Sequence, residues 1–62
     1  MINRNDINYF HEINSKKVWS IEQINSGAAI IRSVLTGEVI KIIQGTFTWY
    51  SEDKTNFRQG LP

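Results

Sequence analysis

The stretch Lys16–Ser51, KKVWSIEQINSGAAIIRSVLTGEVIKIIQGTFTWYS, decides the fold. Four segments within it, Lys16–Asn25, Ala28–Leu35, Glu38–Ile43 and Thr46–Ser51, are rich in Val, Ile, Thr and aromatic residues. Gly27, Gly37 and Gly45 fall in the gaps between them. Short β-prone runs separated by glycine turns read as an antiparallel meander. Asn25-Ser26-Gly27 suits a hairpin loop with Gly27 left-handed, and Thr36-Gly37 suits a type I turn followed by a left-handed Gly37. Successive strand residues point to opposite faces, so Ile30-Ile31, Ile42-Ile43 and Trp49-Tyr50 place large side chains on both sides of the sheet.

The flanks read differently. In Met1–Asn14, Asp6 suits the N-cap of a short helix whose Ile7, Phe10 and Ile13 fall three apart on one face. The same residues also alternate as a strand through Ile7, Tyr9, His11 and Ile13, and Asn5, Asn8 and Asn14 favour neither interior. The reading adopted is a short helix or helical turn over Asp6–Glu12, within an N-terminal arm of residues 1–15. After the meander of residues 16–51, Glu52-Asp53-Lys54-Thr55-Asn56 is polar and turn-rich, and residues 52–62 read as a solvated tail with Phe57 tucked back.

Composition bounds the function. At 62 residues there is room for one domain, which buries only ~60% of the surface its unfolded chain exposes. No cysteine is present, which excludes disulfides and thiolate metal sites, and the single His11 excludes a multi-histidine metal site. The net charge of +1 argues against both a polyanion-coating basic protein and an acidic nucleic-acid mimic. No apolar run reaches the ~20 residues of a membrane span, and Met1–Asp6 lacks the apolar core of a signal peptide. The expectation is a soluble, cytoplasmic protein.

Carried by Lys17-Val18-Trp19-Ser20-Ile21, Gly27, Ile31-Arg32-Ser33, Thr36-Gly37-Glu38-Val39 and Phe47, the chain resembles small SH3-like barrels of the KOW or Tudor kind. It is also similar to the short barrel proteins of phages and prophages. The resemblance spans residues 16–51. It implies a compact barrel whose loops or open edge engage a macromolecule, and in the phage case an inhibitor or adaptor acting on a host protein. No aromatic cage is matched residue by residue, so no family site is carried over. The expected fold is mostly β: a small antiparallel SH3-like barrel or four-stranded meander with a short N-terminal helix or arm.

An enzyme is not expected, and neither is a cofactor. His11 is the one imidazole, the serines stand in no Gly-x-Ser-x-Gly elbow, and the glycines lie a strand length apart rather than in a phosphate loop. A protein-interaction module, binding another protein or a second copy of itself, is the leading expectation. A one-sided sheet alternates apolar and polar residues cleanly, whereas here Ile30 and Ile42 stand as the second-face candidates beside Ile31 and Ile43. Trp19 and Tyr50 carry the amphipathic rings favoured at interfaces, with one tryptophan free to fill the core and the other to stand at the surface. The alternative is a nucleic-acid-binding barrel. There Trp19 beside Lys16 and Lys17, or Tyr50 near Arg32 and Lys41, would stack bases and hold phosphates. The candidate partner-binding residues are therefore Trp19, Ile30, Arg32, Lys41, Ile42 and Tyr50.

Overall fold

Six antiparallel strands pair in sequence order and close on themselves in the computed structural model, which describes residues 7–62. They are β1 (Tyr9–Glu12), β2 (Val18–Asn25), β3 (Ala28–Ser33), β4 (Val39–Gln44), β5 (Trp49–Ser51) and β6 (Asn56–Gln59). Each neighbour in the order is joined by a hairpin, and β1 pairs with β6 through Phe10↔Gln59, His11↔Arg58 and Glu12↔Phe57. Closure leaves the sheet without a terminal strand, the usual way a small β-protein disposes of its edges. The small closed barrel is consistent with the family resemblance drawn from the strand rhythm.

The expected N-terminal helix is not there. Tyr9–Glu12 is a strand, and no helix occurs among the described residues. Asp6, the proposed cap, lies outside them. The three-residue spacing of Ile7, Phe10 and Ile13 does not form a buried stripe: Phe10 is fully enclosed while Ile7 stands exposed. As a strand, Phe10 faces inward opposite Trp19, and the backbone of β1 is paired on both sides. That arrangement satisfies main-chain groups which an isolated helical turn would leave to water. Asn8 and Asn14, poor in either interior, sit in the turns that bound β1.

The C-terminal stretch is likewise structural from Asn56 onward. Phe57 is buried, and Gly60, at φ +111°, donates its N–H to the Tyr9 carbonyl at 2.7 Å while its own carbonyl accepts from His11 Nδ1 at 3.0 Å. A carbonyl can only accept, so His11 carries its proton on Nδ1 in this contact. The four-stranded meander is thus the middle of a six-stranded barrel. Its turns follow the glycines, with Gly27 at φ +90° and Gly37 at φ +82°, conformations that cost an L-residue a Cβ clash.

The interior comprises Phe10, Trp19, Ala29, Ile31, Ile42, Trp49 and Phe57, with Ile21 and Ile40 packed against them. Both tryptophans are in the core, at 4% and 9% exposure. Each stands edge-on to a phenylalanine from a different strand: Phe10 with Trp49 at 5.1 Å, and Trp19 with Phe57 at 5.8 Å. Such pairs add about 0.5–1.5 kcal/mol beyond the area they bury. They tie β1 to β5 and β2 to β6.

Candidate functional site

Antiparallel order brings three turns to one end of the barrel: β1–β2 (residues 13–17), β3–β4 (34–38) and β5–β6 (52–55). Between them a cleft of about 620 Å³ opens into the barrel mouth. Its floor is the inward-facing set Trp19, Ile40, Ser51 and Phe57. Its rim carries Glu12, Lys17, Glu38, Lys41, Glu52, Asp53 and Thr55, four carboxylates against two ammonium groups. The result is an apolar base under an acidic lip.

Each rim element is held by local chemistry. Glu12 closes β1 with its carboxylate over the mouth, where Oε2 accepts the Trp19 indole N–H at 3.2 Å and Oε1 accepts the Ser15 hydroxyl at 3.1 Å. The loop that allows this turns at Lys16, left-handed at φ +61°, whose N–H returns to the Glu12 carbonyl at 2.8 Å. In the β3–β4 turn the buried Ser33 hydroxyl accepts from the N–H groups of Leu35 and Thr36 at 3.2 and 3.1 Å. Ser33 N–H also reaches the Glu38 carbonyl at 2.8 Å, which fixes Glu38 at the start of β4.

In the β5–β6 turn, Asp53 Oδ1 accepts the hydroxyl of Ser51, the hydroxyl of Thr55 at 2.9 Å and the N–H of Thr55 at 3.2 Å. The Ser51 hydroxyl, then the Thr55 hydroxyl and N–H, hold the Asp53 carboxyl below the usual carboxylate range. Lys54 follows at φ +71° and places its ammonium 5.5 Å from the centre of the Tyr50 ring. Among the described residues no group of three or more His, Cys, Asp or Glu side chains could hold a metal ion.

The cleft also lies beside a gap in the pairing. β4 pairs with β3 over Val39–Ile43, but with β5 only over Ile42–Gln44. The first half of β4, Val39–Lys41, is therefore paired on one side alone among the described residues. Main-chain groups in an antiparallel strand alternate in direction. The Ser33–Glu38 bond and the bond from Gln44 N–H to the Gly27 carbonyl point the even-numbered residues toward β3. By the same alternation Val39 directs its N–H and C=O, and Lys41 its N–H, toward the gap, the Lys41 carbonyl lying opposite the Glu52 N–H.

The structure brings two of the six sequence candidates to this mouth, Trp19 in its floor and Lys41 on its lip. Ile42 is fully enclosed in the core. Ile30 and Tyr50 are half-buried on the outer surface, where Ala28, Ile43 and Tyr50 lie in one cross-strand row and Ile30 stands next to it. Arg32, also on that surface, is bound to Glu22 at 3.0 Å. Sequence reasoning missed Glu12, Glu38, Asp53 and Phe57, whose grouping depends on closure between β1 and β6. The available signal was the single phenylalanine in each of two short, otherwise largely polar runs, Phe10 and Phe57.

Comparison with protein-family models, with curated proteins and with solved structures finds no match to this chain.

Proposed function

We propose that this chain is a non-enzymatic interaction module that receives part of a partner protein in its barrel mouth. It would act as an inhibitor or adaptor of the phage type that its strand rhythm resembles, in a cytoplasmic setting. The observation that supports this reading is the cleft itself. Three turns, each pinned by its own hydrogen bonds, surround a cleft of about 620 Å³ that opens over Ile40 and the edges of Trp19 and Phe57. Preformed apolar hollows with a few convergent polar groups are the usual shape of a binding site.

The nucleic-acid alternative draws less support. Four carboxylates at the mouth oppose a phosphate backbone, Trp19 is enclosed with its N–H engaged by Glu12, and Arg32 is occupied by Glu22. The outer row of Ala28, Ile43 and Tyr50, with Ile30 beside it, favours self-association as a second reading, checked by sedimentation over a concentration series.

Capture from the native lysate, with and without nuclease, tests the primary reading when three baits are compared. A protein retained by the parent and by Tyr50→Glu after nuclease, but lost by Glu38→Lys/Glu52→Lys, supports binding at the mouth. Loss of every partner on nuclease treatment transfers the reading to nucleic acid. Loss on Tyr50→Glu alone moves the site to the outer face.

A further inference from the structure

We infer that the occupant of the mouth is an extended, cationic segment of the partner, added as a strand to the free half of β4. The inference rests on the interaction-module reading and specifies its ligand. Three independent features of the mouth converge on it.

The first is the backbone. Val39 aims its N–H and C=O into the gap and Lys41 its N–H, while the Ile42↔Ser51 register sets the Lys41 carbonyl opposite the Glu52 N–H. An unpaired stretch of strand is a template for another extended chain, whose main-chain hydrogen bonds supply affinity without regard to sequence.

The second is the floor. Ile40 lies between those two residues and faces inward, and it shares the cleft with Trp19 and Phe57. A side chain opposite Ile40 on an added strand points the same way, into the apolar base. The next residue on that face stands opposite Glu38.

The third is charge. Glu38 and Glu12 both line the mouth, each at the end of an inward-facing row, and Glu52 and Asp53 close the far side. Lysine or arginine two residues from the apolar anchor meets this lip, while an acidic segment is repelled by it. The recognised pattern is thus apolar-x-Lys/Arg in extended form, where side-chain alternation sets the spacing.

The probe is an acetylated and amidated octapeptide with Leu and Arg two positions apart in a Ser/Thr background, together with its reversed sequence. Titration into the ¹⁵N-labelled full chain is followed by amide shifts and hydrogen exchange. The expected result is saturable shifts at Val39, Lys41, Glu38 and the Trp19 indole. Exchange at Val39 and Lys41 should slow roughly ten-fold, and affinity should fall as salt is raised.

Lys41→Pro removes an N–H that serves no bond to β3, so the barrel persists while the affinity drops roughly ten-fold, about 1.4 kcal/mol. Lys41→Gln keeps the N–H and retains binding. Should Lys41→Pro unfold, a peptide N-methylated at the positions facing β4 supplies the same test from the other partner. No saturation by either peptide, shifts confined to other surfaces, or equal affinity of the N-methylated peptide would overturn the inference. Equal binding of a Glu-for-Arg peptide would overturn its charge component. A lysate partner lost on Glu38→Lys/Glu52→Lys but kept on Lys41→Pro sinks strand addition and leaves the module reading standing.

Discussion

Replacing Phe57 by alanine asks whether the C-terminal stretch belongs to the barrel. Phe57 is 1% exposed, pairs edge-on with Trp19 at 5.8 Å and stands opposite both Glu12 and Trp49 in the ladder. Truncating an enclosed phenylalanine costs about 3–5 kcal/mol, since the transfer loss and the residual cavity add. Loss of the ring pair lies within that figure. A chain of this length has roughly 3–9 kcal/mol of stability in total, from ~0.05–0.15 kcal/mol per residue. Phe57→Ala therefore removes a third or more of the stability and leaves a substantial fraction of chains unfolded. Urea denaturation followed by tryptophan emission measures this directly, because both tryptophans are in the core. With a slope of about 1–1.5 kcal/mol per molar, the midpoint falls by ~2 M or more. Arg58→Ala, one residue on and exposed, serves as the control and shifts the midpoint by less than about 0.5 kcal/mol equivalent. Equal midpoints for the parent and Phe57→Ala would refute β6, and with it the closure of the barrel and the floor of the mouth.

Three further outcomes follow from the same geometry. Gly45→Ala places a Cβ 2.7 Å from the Thr48 carbonyl oxygen and 3.4 Å from the Tyr50 ring, and lowers stability by about 1–3 kcal/mol in thermal melts; an unchanged melt would refute that close approach. Asp53 has its folded pKa depressed, so it stabilises the fold above its unfolded pKa of about 3.9, and that contribution is lost as pH falls through the lower folded value. The gap in urea midpoint between the parent and Asp53→Asn is then full near neutral pH and closes in acid; a gap independent of pH would sink the assignment. Phe47, 91% exposed in the β4–β5 turn, contributes almost nothing to the fold, and Phe47→Ser changes the melting free energy by less than about 0.5 kcal/mol.

The central meander was legible because its signals are local. Gly27 and Gly37 hold positive φ where the sequence places turns, and Ile31 faces in while Ile30 faces out, as strict alternation requires. The flanking strands were not legible because their reason is not local. β6 is Asn-Phe-Arg-Gln, with one apolar residue in four, and it becomes a strand by completing the ladder between β5 and β1. β1 is equally short, and the spacing of Ile7, Phe10 and Ile13 imitates a helix although Phe10 alone of the three is enclosed. A similar spacing, Ile21 to Ile24, has another origin. A bulge between Ile21 and Gln23 adds a residue, so Ile21 opposite Ile31 and Ile24 opposite Ala29 share the inner face. The end of β3 was also misplaced. Val34 and Leu35 extend the apolar run, yet the chain leaves the sheet at Ser33, whose buried hydroxyl caps the turn, and Leu35 stands 80% exposed.

The mouth was harder to read than the fold because it is made by unequal strand lengths. Had β5 been as long as β4, it would have continued alongside Val39–Lys41 and covered the gap. Instead β5 ends after Ser51, where the Ser51–Asp53–Thr55 hydrogen bonds turn the chain at once into β6. The same serine supplies an inward-facing wall of the cleft, so the residues that stop β5 early are those that open the site. Among the described residues the barrel is thereby left with a half-paired stretch, Val39–Lys41, beside the three turns that gather most of its acidic side chains. The Phe10–Trp49 pair lies outside the cleft lining, so the core keeps an aromatic pair of its own while Trp19 and Phe57 also serve as floor. Lengthening β5 tests this division. Asp53→Gly with Ser51→Val removes the hydroxyl and carboxylate that set the turn, and should extend the β4–β5 pairing toward Lys41. Amide exchange at Lys41 would then slow in the free protein, and the octapeptide would bind more weakly. Unchanged exchange at Lys41 would show that something other than the short β5 holds the gap open.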